Sequence, residues 1–183
     1  FEDIRDGLIV NNQRGYYLDT PLKVYIYNTT FENNNWQQRS HFGLEIGNGK
    51  YNSRIYGVLD SCRFINNKGH IVYCNIVDNC TFINNTDVPL KDIYPSNYHN
   101  WLQSLIDVSE LINNSYFYGS SLPAKSYEDS LITCPRVYNS VFIENTAAYG
   151  TLSNPNEVHY CAFLNNAGIY GADDILADRK SVV

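Results

Sequence analysis

The sequence predicts an all-β chain folded as a parallel β-solenoid of about seven coils, with loop insertions along one edge. Three observations support this prediction. A motif centred on Phe recurs along the 183 residues, and its shortest copy is too short for a pair of helices. The chain also contains 24 Asn, a residue that tolerates the left-handed backbone of tight corners.

The repeat is defined by positions counted from an anchor Phe. An aliphatic residue stands at position −5, a small residue at −2 and Asn at +3. Six anchors follow this pattern, with Ser120 in place of Asn at +3 in the fourth copy: Phe31, Phe64, Phe82, Phe117, Phe142 and Phe163. A seventh, divergent copy is predicted at the start of the chain, with Ile9 as its anchor. A weaker second element precedes the anchors, at Gly69–Ile71, Ser104–Ile106, Ser130–Ile132 and Gly150–Leu152.

Each copy is predicted to consist of short strands. Phe64 and Phe82 are 18 residues apart, a length that accommodates three short strands and their turns. Alternate residues of a strand share a face, so the small residue and the anchor should both point inward. Coils stacked ~4.8 Å apart would place the anchors in a continuous ladder.

The corner after each anchor is assigned to Asn at positions +2 and +3. Asn adopts the left-handed conformation, and its amide can bond the amide of the next coil. Strict alternation would place position +1, for example Ile65 and Ile83, on the outside. We favour a bend directly after the Phe, which would turn these side chains inward.

Insertions collect at the same corner, at about residues 35–42, 86–103, 121–129 and 146–149. Loops that gather on one edge of a repeat protein often form its binding face. The candidate ligand-binding residues are the aromatic side chains of these loops: Trp36, Tyr94, Tyr98, His99 and Trp101. Two interpretations stay open, because these aromatics would either contact a ligand or fold back as a cover over the solenoid.

The five Cys are interpreted as structural residues. Cys62, Cys80 and Cys161 occupy the inward position −2, and no metal-binding spacing accompanies them. Cys74 and Cys134 each lie eight residues before an anchor. Cys62 and Cys80 should be neighbours in adjacent coils, and whether they are bridged stays open.

Asp60 and Asp78 share position −4 in adjacent copies. Stacked carboxylates ~5 Å apart are a weak candidate site for Ca²⁺ or an acid/base pair for glycan cleavage. The simpler interpretation is that both carboxylates are Asp side chains exposed to solvent at a bend of the chain, without a ligand or a catalytic role. We predict no catalytic residue and, this Ca²⁺ alternative aside, no cofactor.

Composition limits the partners. The net charge is −6 and the basic residues are scattered, which excludes the basic stripe of a nucleic-acid-binding protein. No apolar run approaches the ~18 residues of a membrane span, so direct membrane insertion by this segment is not expected. The chain begins at Phe1 and contains no Met, and we interpret residues 1–183 as a single segment of a longer repeat protein.

The recurring Phe-x-x-Asn resembles the repeats of β-helix adhesins, such as adhesin-like surface proteins of methanogenic archaea and polymorphic outer-membrane proteins of chlamydiae. The matching segments are Phe31–Asn34, Phe64–Asn67, Phe82–Asn85, Phe142–Asn145 and Phe163–Asn166. The resemblance implies a right-handed parallel β-helix of the pectate-lyase-like superfamily.

The resemblance and the edge loops together lead us to expect an extracellular, cell-surface adhesion or ligand-binding segment. Its partner would be a glycan or a surface protein of a host or neighbouring cell. The alternative is a polysaccharide lyase or glycoside hydrolase on the same fold, and a third option is a structural stalk.

Overall fold

The computed structural model of the protein describes residues 8–10, 22–35, 44–46, 55–87, 104–122, 130–147, 150–153 and 155–168. Within these ranges the chain forms strands and no helix. The described residues therefore contain no helix that could cross a membrane. The strands are β1 Leu8–Val10, β2 Leu22–Tyr27, β3 Thr30–Glu32, β4 Leu44–Ile46, β5 Ile55–Asp60, β6 Arg63–Ile65, β7 Val72–Asp78, β8 Thr81–Ile83, β9 Ser104–Asn113, β10 Tyr116–Tyr118, β11 Ser130–Thr133, β12 Arg136–Tyr138, β13 Val141–Ile143, β14 Thr146–Ala147, β15 Gly150–Ser153, β16 Glu157–His159, β17 Ala162–Leu164 and β18 Ala167–Gly168. The strand pairs are parallel, which confirms the predicted all-β, parallel class.

The larger sheet has ten strands, and its register follows the aliphatic residue at position −5. Each strand of the run β2-β5-β7-β9-β12-β16 contributes one such residue. The paired residues are Ile26, Leu59, Val77, Ile112, Val137 and Val158. Branched aliphatic side chains suit a pleated surface, and this row lines the hydrophobic core.

The smaller sheet has six strands in the order β17-β13-β10-β8-β6-β3 and carries the anchors. Neighbouring Phe rings stack with centroids 4.7 to 4.9 Å apart and planes within 9° of parallel. The first five anchors are at most 1% exposed, and Phe163 in the last strand is half-buried. The predicted interior Phe ladder is confirmed.

Two left-handed corners flank each short Phe strand, at positions −3 and +2. Asn occupies most of them, with φ of 49° at Asn79 and 52° at Asn84 as examples. At +3 the buried Asn67 donates from Nδ2 to Asn85 Oδ1 at 3.0 Å and to the Phe31 carbonyl at 3.0 Å. These corner and ladder positions explain the high Asn content.

A third ladder follows the +3 corner. Single bridges join Asn35, Lys68, Thr86, Ser121 and Thr146, and the pair β14–β18 continues the row. Each described repeat therefore passes the ten-stranded sheet, the six-stranded sheet and this ladder in the same order, around one hydrophobic core.

The predicted seventh copy at the start of the chain is wrong. Ile9 pairs with Glu45 in the ten-stranded sheet, because Leu8 and Val10 align with Leu44 and Ile46 and not with an anchor. The described residues therefore contain six copies of the motif instead of about seven. The second element also begins one residue later than predicted in its first copy, since Val72 pairs with Ile106.

The predicted inward bend at position +1 is also wrong. Ile65 and Ile83 belong to β6 and β8, alternate with the buried Phe and are half-buried on the outer face. The left-handed residue that turns the chain is the next one, at position +2.

Candidate functional site

The five aromatic residues predicted to bind a ligand, Trp36, Tyr94, Tyr98, His99 and Trp101, lie outside the described residues. Ligand binding by these five residues therefore stays a prediction. The described part of the chain presents a different surface, at the corner between the two sheets.

Asp60 and Asp78 are directly paired on the neighbouring strands β5 and β7. They point outward because each follows a buried aliphatic residue at −5 and precedes the left-handed residue at −3. The whole row at −4 is Tyr27, Asp60, Asp78, Asn113, Tyr138 and His159.

The exposed residues at −3 lie beside this row and bond to it. Asn114 Nδ2 donates to Asp78 Oδ1 at 3.1 Å, as does Asn113 Nδ2 from within the row. Asp60 Oδ1 accepts bonds from Ser61 Oγ at 2.8 Å and, at 3.4 Å, from the side-chain amide of Asn79. We call the rows at −4 and −3 together the polar corner; its members at −3 are Asn28, Ser61, Asn79, Asn114, Asn139 and Tyr160.

Amide hydrogens, and in Asp60 also a hydroxyl, point at these carboxylates. These donors satisfy one oxygen of each carboxylate without a cation. Among the described residues no group of three or more His, Cys, Asp or Glu side chains is arranged to hold a metal ion. The Ca²⁺ hypothesis for Asp60 and Asp78 thus gains no further His, Cys or carboxylate ligand from this part of the chain.

Exposed aromatic side chains stand at both ends of the polar corner. Tyr25 and Tyr27 on β2 are 58% and 66% exposed, and Tyr160 after β16 is 78% exposed. The Tyr138 ring lies 5.4 Å from that of His159. Strands β2 and β16 are the first and last of a six-strand run, so these ends are ~24 Å apart at the usual strand spacing.

A second polar group, centred on Glu110, lies on the same sheet. Tyr56 Oη donates to Glu110 Oε2 at 2.5 Å, and Arg136 Nε donates to the Glu110 carbonyl at 3.2 Å. Burial, and then the bond to Glu110, raise the pKa of Tyr56 to about 12. Tyr56 therefore stays a hydrogen-bond donor, and this group ties neighbouring strands together.

Asp107 on β9 is a half-buried carboxyl that the sequence does not single out. It pairs in register with Tyr73 and Thr133, and burial raises its pKa to about 6. A carboxyl of this pKa exchanges protons near neutrality, which suits a general acid or base.

The Cys residues lie where they were predicted. All five are buried and free, and Cys62 and Cys80 are neighbours in the −2 row. The Cys62 amide donates to Cys80 Sγ at 3.4 Å, and Cys80 Sγ donates to the Asp78 carbonyl at 3.1 Å. The hydrogen bond between the two side chains lowers the pKa of Cys62 to about 7 and, with burial, raises that of Cys80.

The −2 row is more than the small filler that the sequence suggested. Ser115 Oγ donates to the Asn113 carbonyl at 2.8 Å and accepts from the Cys80 amide at 3.2 Å. Ser140 Oγ does the same, donating to the Tyr138 carbonyl at 2.7 Å and accepting from the Ser115 amide at 3.1 Å. The position requires a γ atom that both donates and accepts a hydrogen bond. The alternation of Ser, Thr and Cys at this position was the sequence pattern that could have indicated this requirement.

His70 and Asp87 form a buried pair that sequence analysis also missed. His70 Nε2 lies 3.8 Å from Asp87 Oδ2, and both side chains are at most 5% exposed. His70 Nδ1 donates to the Ser104 carbonyl at 2.6 Å, which fixes the ring.

Comparison with protein-family models, with curated proteins and with solved structures finds no match to this chain.

Proposed function

We propose that the chain is a right-handed parallel β-helix. The support is the constant order in which each repeat passes its three parallel ladders around one core. Right-handed connections are the rule between parallel strands of one sheet, because a twisted strand packs back onto its sheet in that sense. The Phe-x-x-Asn resemblance to β-helix adhesins points the same way.

We further propose that it serves as an extracellular, cell-surface adhesion or ligand-binding segment. The observation that carries this proposal is the polar corner, a strip of exposed amides and half-buried carboxylates with exposed aromatics at both ends. Aromatic rings and amphipathic Tyr side chains are typical contacts for a sugar ring or a protein partner. The edge loops with Trp36 and Trp101 would extend the binding surface.

A polysaccharide lyase or glycoside hydrolase is the second candidate function, and Asp107 is the observation in its favour. Its pKa of about 6 suits proton transfer at neutral pH. Enzymatic cleavage needs a second carboxylate or base across the substrate, and Glu110 on the same strand is the nearest along the sequence. A stalk without a ligand is the third option.

A glycan-array experiment tests the three functions together. The purified segment is applied to immobilised glycans, and both the retained protein and the sugars released into solution are measured. A binder is retained without release, a hydrolase or lyase releases product, and a stalk does neither. If product release is lost in Asp107→Asn but not in the matched variant Asp78→Asn, the proposed function would be catalysis instead of binding.

A further inference from the structure

We infer that the polar corner binds a linear, uncharged polysaccharide whose chain runs along the stacking direction of the strands. This inference rests on the proposed binding function. It adds the chemical class of the ligand, its place on the molecule and its direction.

The first argument is the repeat length. Tyr27, Asp60, Asp78 and Asn113 lie on consecutive strands, so the surface repeats every ~4.8 Å. The rise of one hexose unit in an extended β-linked chain is close to this spacing. Successive sugars would therefore meet successive repeats, over a strip long enough for about five units.

The second argument is the hydrogen-bonding capacity. The side-chain bonds that Asp60 and Asp78 accept end on Oδ1, so within the described part of the chain Oδ2 of each carboxylate remains able to accept a bond. Sugar hydroxyls are donors that fit such an acceptor, and the exposed amides of Asn79 and Asn114 supply both donors and acceptors beside them.

The third argument is charge. The polar corner contains two carboxylates, and none of its described positions at −4 and −3 is Lys or Arg. The chain as a whole carries −6. Uronate or sulfate groups held along this strip would face Asp60 and Asp78 at short range, which disfavours polyanionic glycans.

The fourth argument is the position of the aromatics. Tyr27 and Tyr160 are highly exposed at opposite ends of the strip, where a ring can stack on the flat face of a sugar. The two ends would fix the chain, and the amides and carboxylates between them would orient it.

The experiment measures binding of a soluble β-glucan and of polygalacturonate by affinity gel electrophoresis and calorimetry. We expect the chain to bind the β-glucan and to bind polygalacturonate at least tenfold more weakly. Tyr27→Ala and Tyr160→Ala should each weaken β-glucan binding about tenfold, as expected for a lost stacking contact. Tyr116→Ala, on the outer face of the six-stranded sheet, is the matched control and should bind like the unmodified chain.

The double variant Asp60→Asn, Asp78→Asn tests the charge argument separately. Its affinity for polygalacturonate should rise at least fivefold, because two repulsive charges are removed and the shape is kept. Circular dichroism melting of every variant verifies that the fold is retained.

Several outcomes would overturn the inference. Preferential binding of polygalacturonate, or unchanged β-glucan affinity in both Tyr variants, contradicts it. If Trp36→Ala and Trp101→Ala abolish binding while the Tyr variants bind normally, the binding function stands on the edge loops and the polar corner is not the site. If neither polysaccharide nor any glycan of the array is bound, the inference and glycan binding fail together.

Discussion

Position −2 shows how one atom decides which residues a repeat accepts. The row alternates Thr29, Cys62, Cys80, Ser115 and Ser140, and each γ atom donates to the carbonyl two residues earlier. Ser and Cys are interchangeable here because both place a donor and acceptor one bond beyond Cβ. Ala has the right size but would leave the buried amide of the neighbouring repeat without its acceptor, while the carbonyl keeps a backbone bond from another repeat.

Ser115→Ala should therefore destabilise the protein by about 1–3 kcal/mol, the cost of leaving the buried Cys80 amide unsatisfied. Ser115→Cys should cost clearly less, because Cys occupies the same position in neighbouring repeats. Urea denaturation followed by circular dichroism gives the free energies of unfolding. Equal losses in the two variants would show that size, and not hydrogen bonding, governs the position.

Asp107 links stability to pH. Burial raises its pKa from 3.8 to about 6 in the folded chain, so between these values the folded state binds the proton more tightly than the unfolded state. Its contribution is favourable at low pH and is lost as pH rises through about 6, by at most ~3 kcal/mol.

Asp107→Asn should remove this part of the pH dependence. Chemical denaturation at pH 4, 5, 6 and 7 should show the free energy of unfolding of the unmodified chain falling relative to that of the variant across this window. Parallel curves for the two proteins would mean that the Asp107 carboxyl is hydrated in the folded state.

At the scale of the strand, the Phe anchors set the register of the six-stranded sheet. Phe82 stacks on Phe64 at 4.7 Å and on Phe117 at 4.8 Å, and is fully buried. Phe163 has a neighbour on one side only among the described strands and is half-buried. The two residues occupy the same motif position with different surroundings.

Phe82→Ala should cost ~3–5 kcal/mol as a core truncation, and Phe163→Ala about half as much because less of its surface is buried. Thermal and urea denaturation measure both. A loss at Phe163 equal to that at Phe82 would show that further packing covers the last anchor.

Strand register also shows what the sequence could predict. Phe31 to Phe163 were placed correctly because a large buried ring, a left-handed Asn corner and a buried amide impose independent requirements that coincide in most copies. The segment around Ile9 has the right apolar spacing but pairs elsewhere, since apolar periodicity alone does not distinguish one parallel ladder from another. The pairing of Asp60 and Asp78 at position −4 follows from the same register and was predicted. The exposed Tyr27 and Tyr160 at the ends of the polar corner were not, because exposure depends on which residues cover each repeat.

Across the whole molecule, burial is uneven along the stack. The core residues Phe64, Val77, Phe82 and Ile112 are fully buried, whereas in the last described repeat Val158 is 5% and Cys161 7% exposed. In repeat proteins each unit is stabilised by packing against its neighbours, so a unit whose core residues are less completely buried should open more readily.

Hydrogen exchange should reveal this gradient. Amides of β7–β10 should exchange at least tenfold more slowly than those of β16–β18, because opening of the central strands breaks contacts on both sides. Mass spectrometry of peptic fragments resolves the two regions. Uniform protection along the chain would instead indicate a single cooperative unit.

The stacking interfaces have a further consequence for how such a chain changes its length. The Phe64–Phe82 and Phe82–Phe117 contacts are nearly identical, 4.7 and 4.8 Å with 3° and 5° between planes, although 18 and 35 residues separate the anchors. Each repeat thus offers the same upper and lower surface whatever the length of its connecting segment. If gene duplication added one whole repeat, or deletion removed one, the Phe rings of the remaining repeats could still stack in the same way. The number of repeats can therefore change during evolution while the cross-section stays constant.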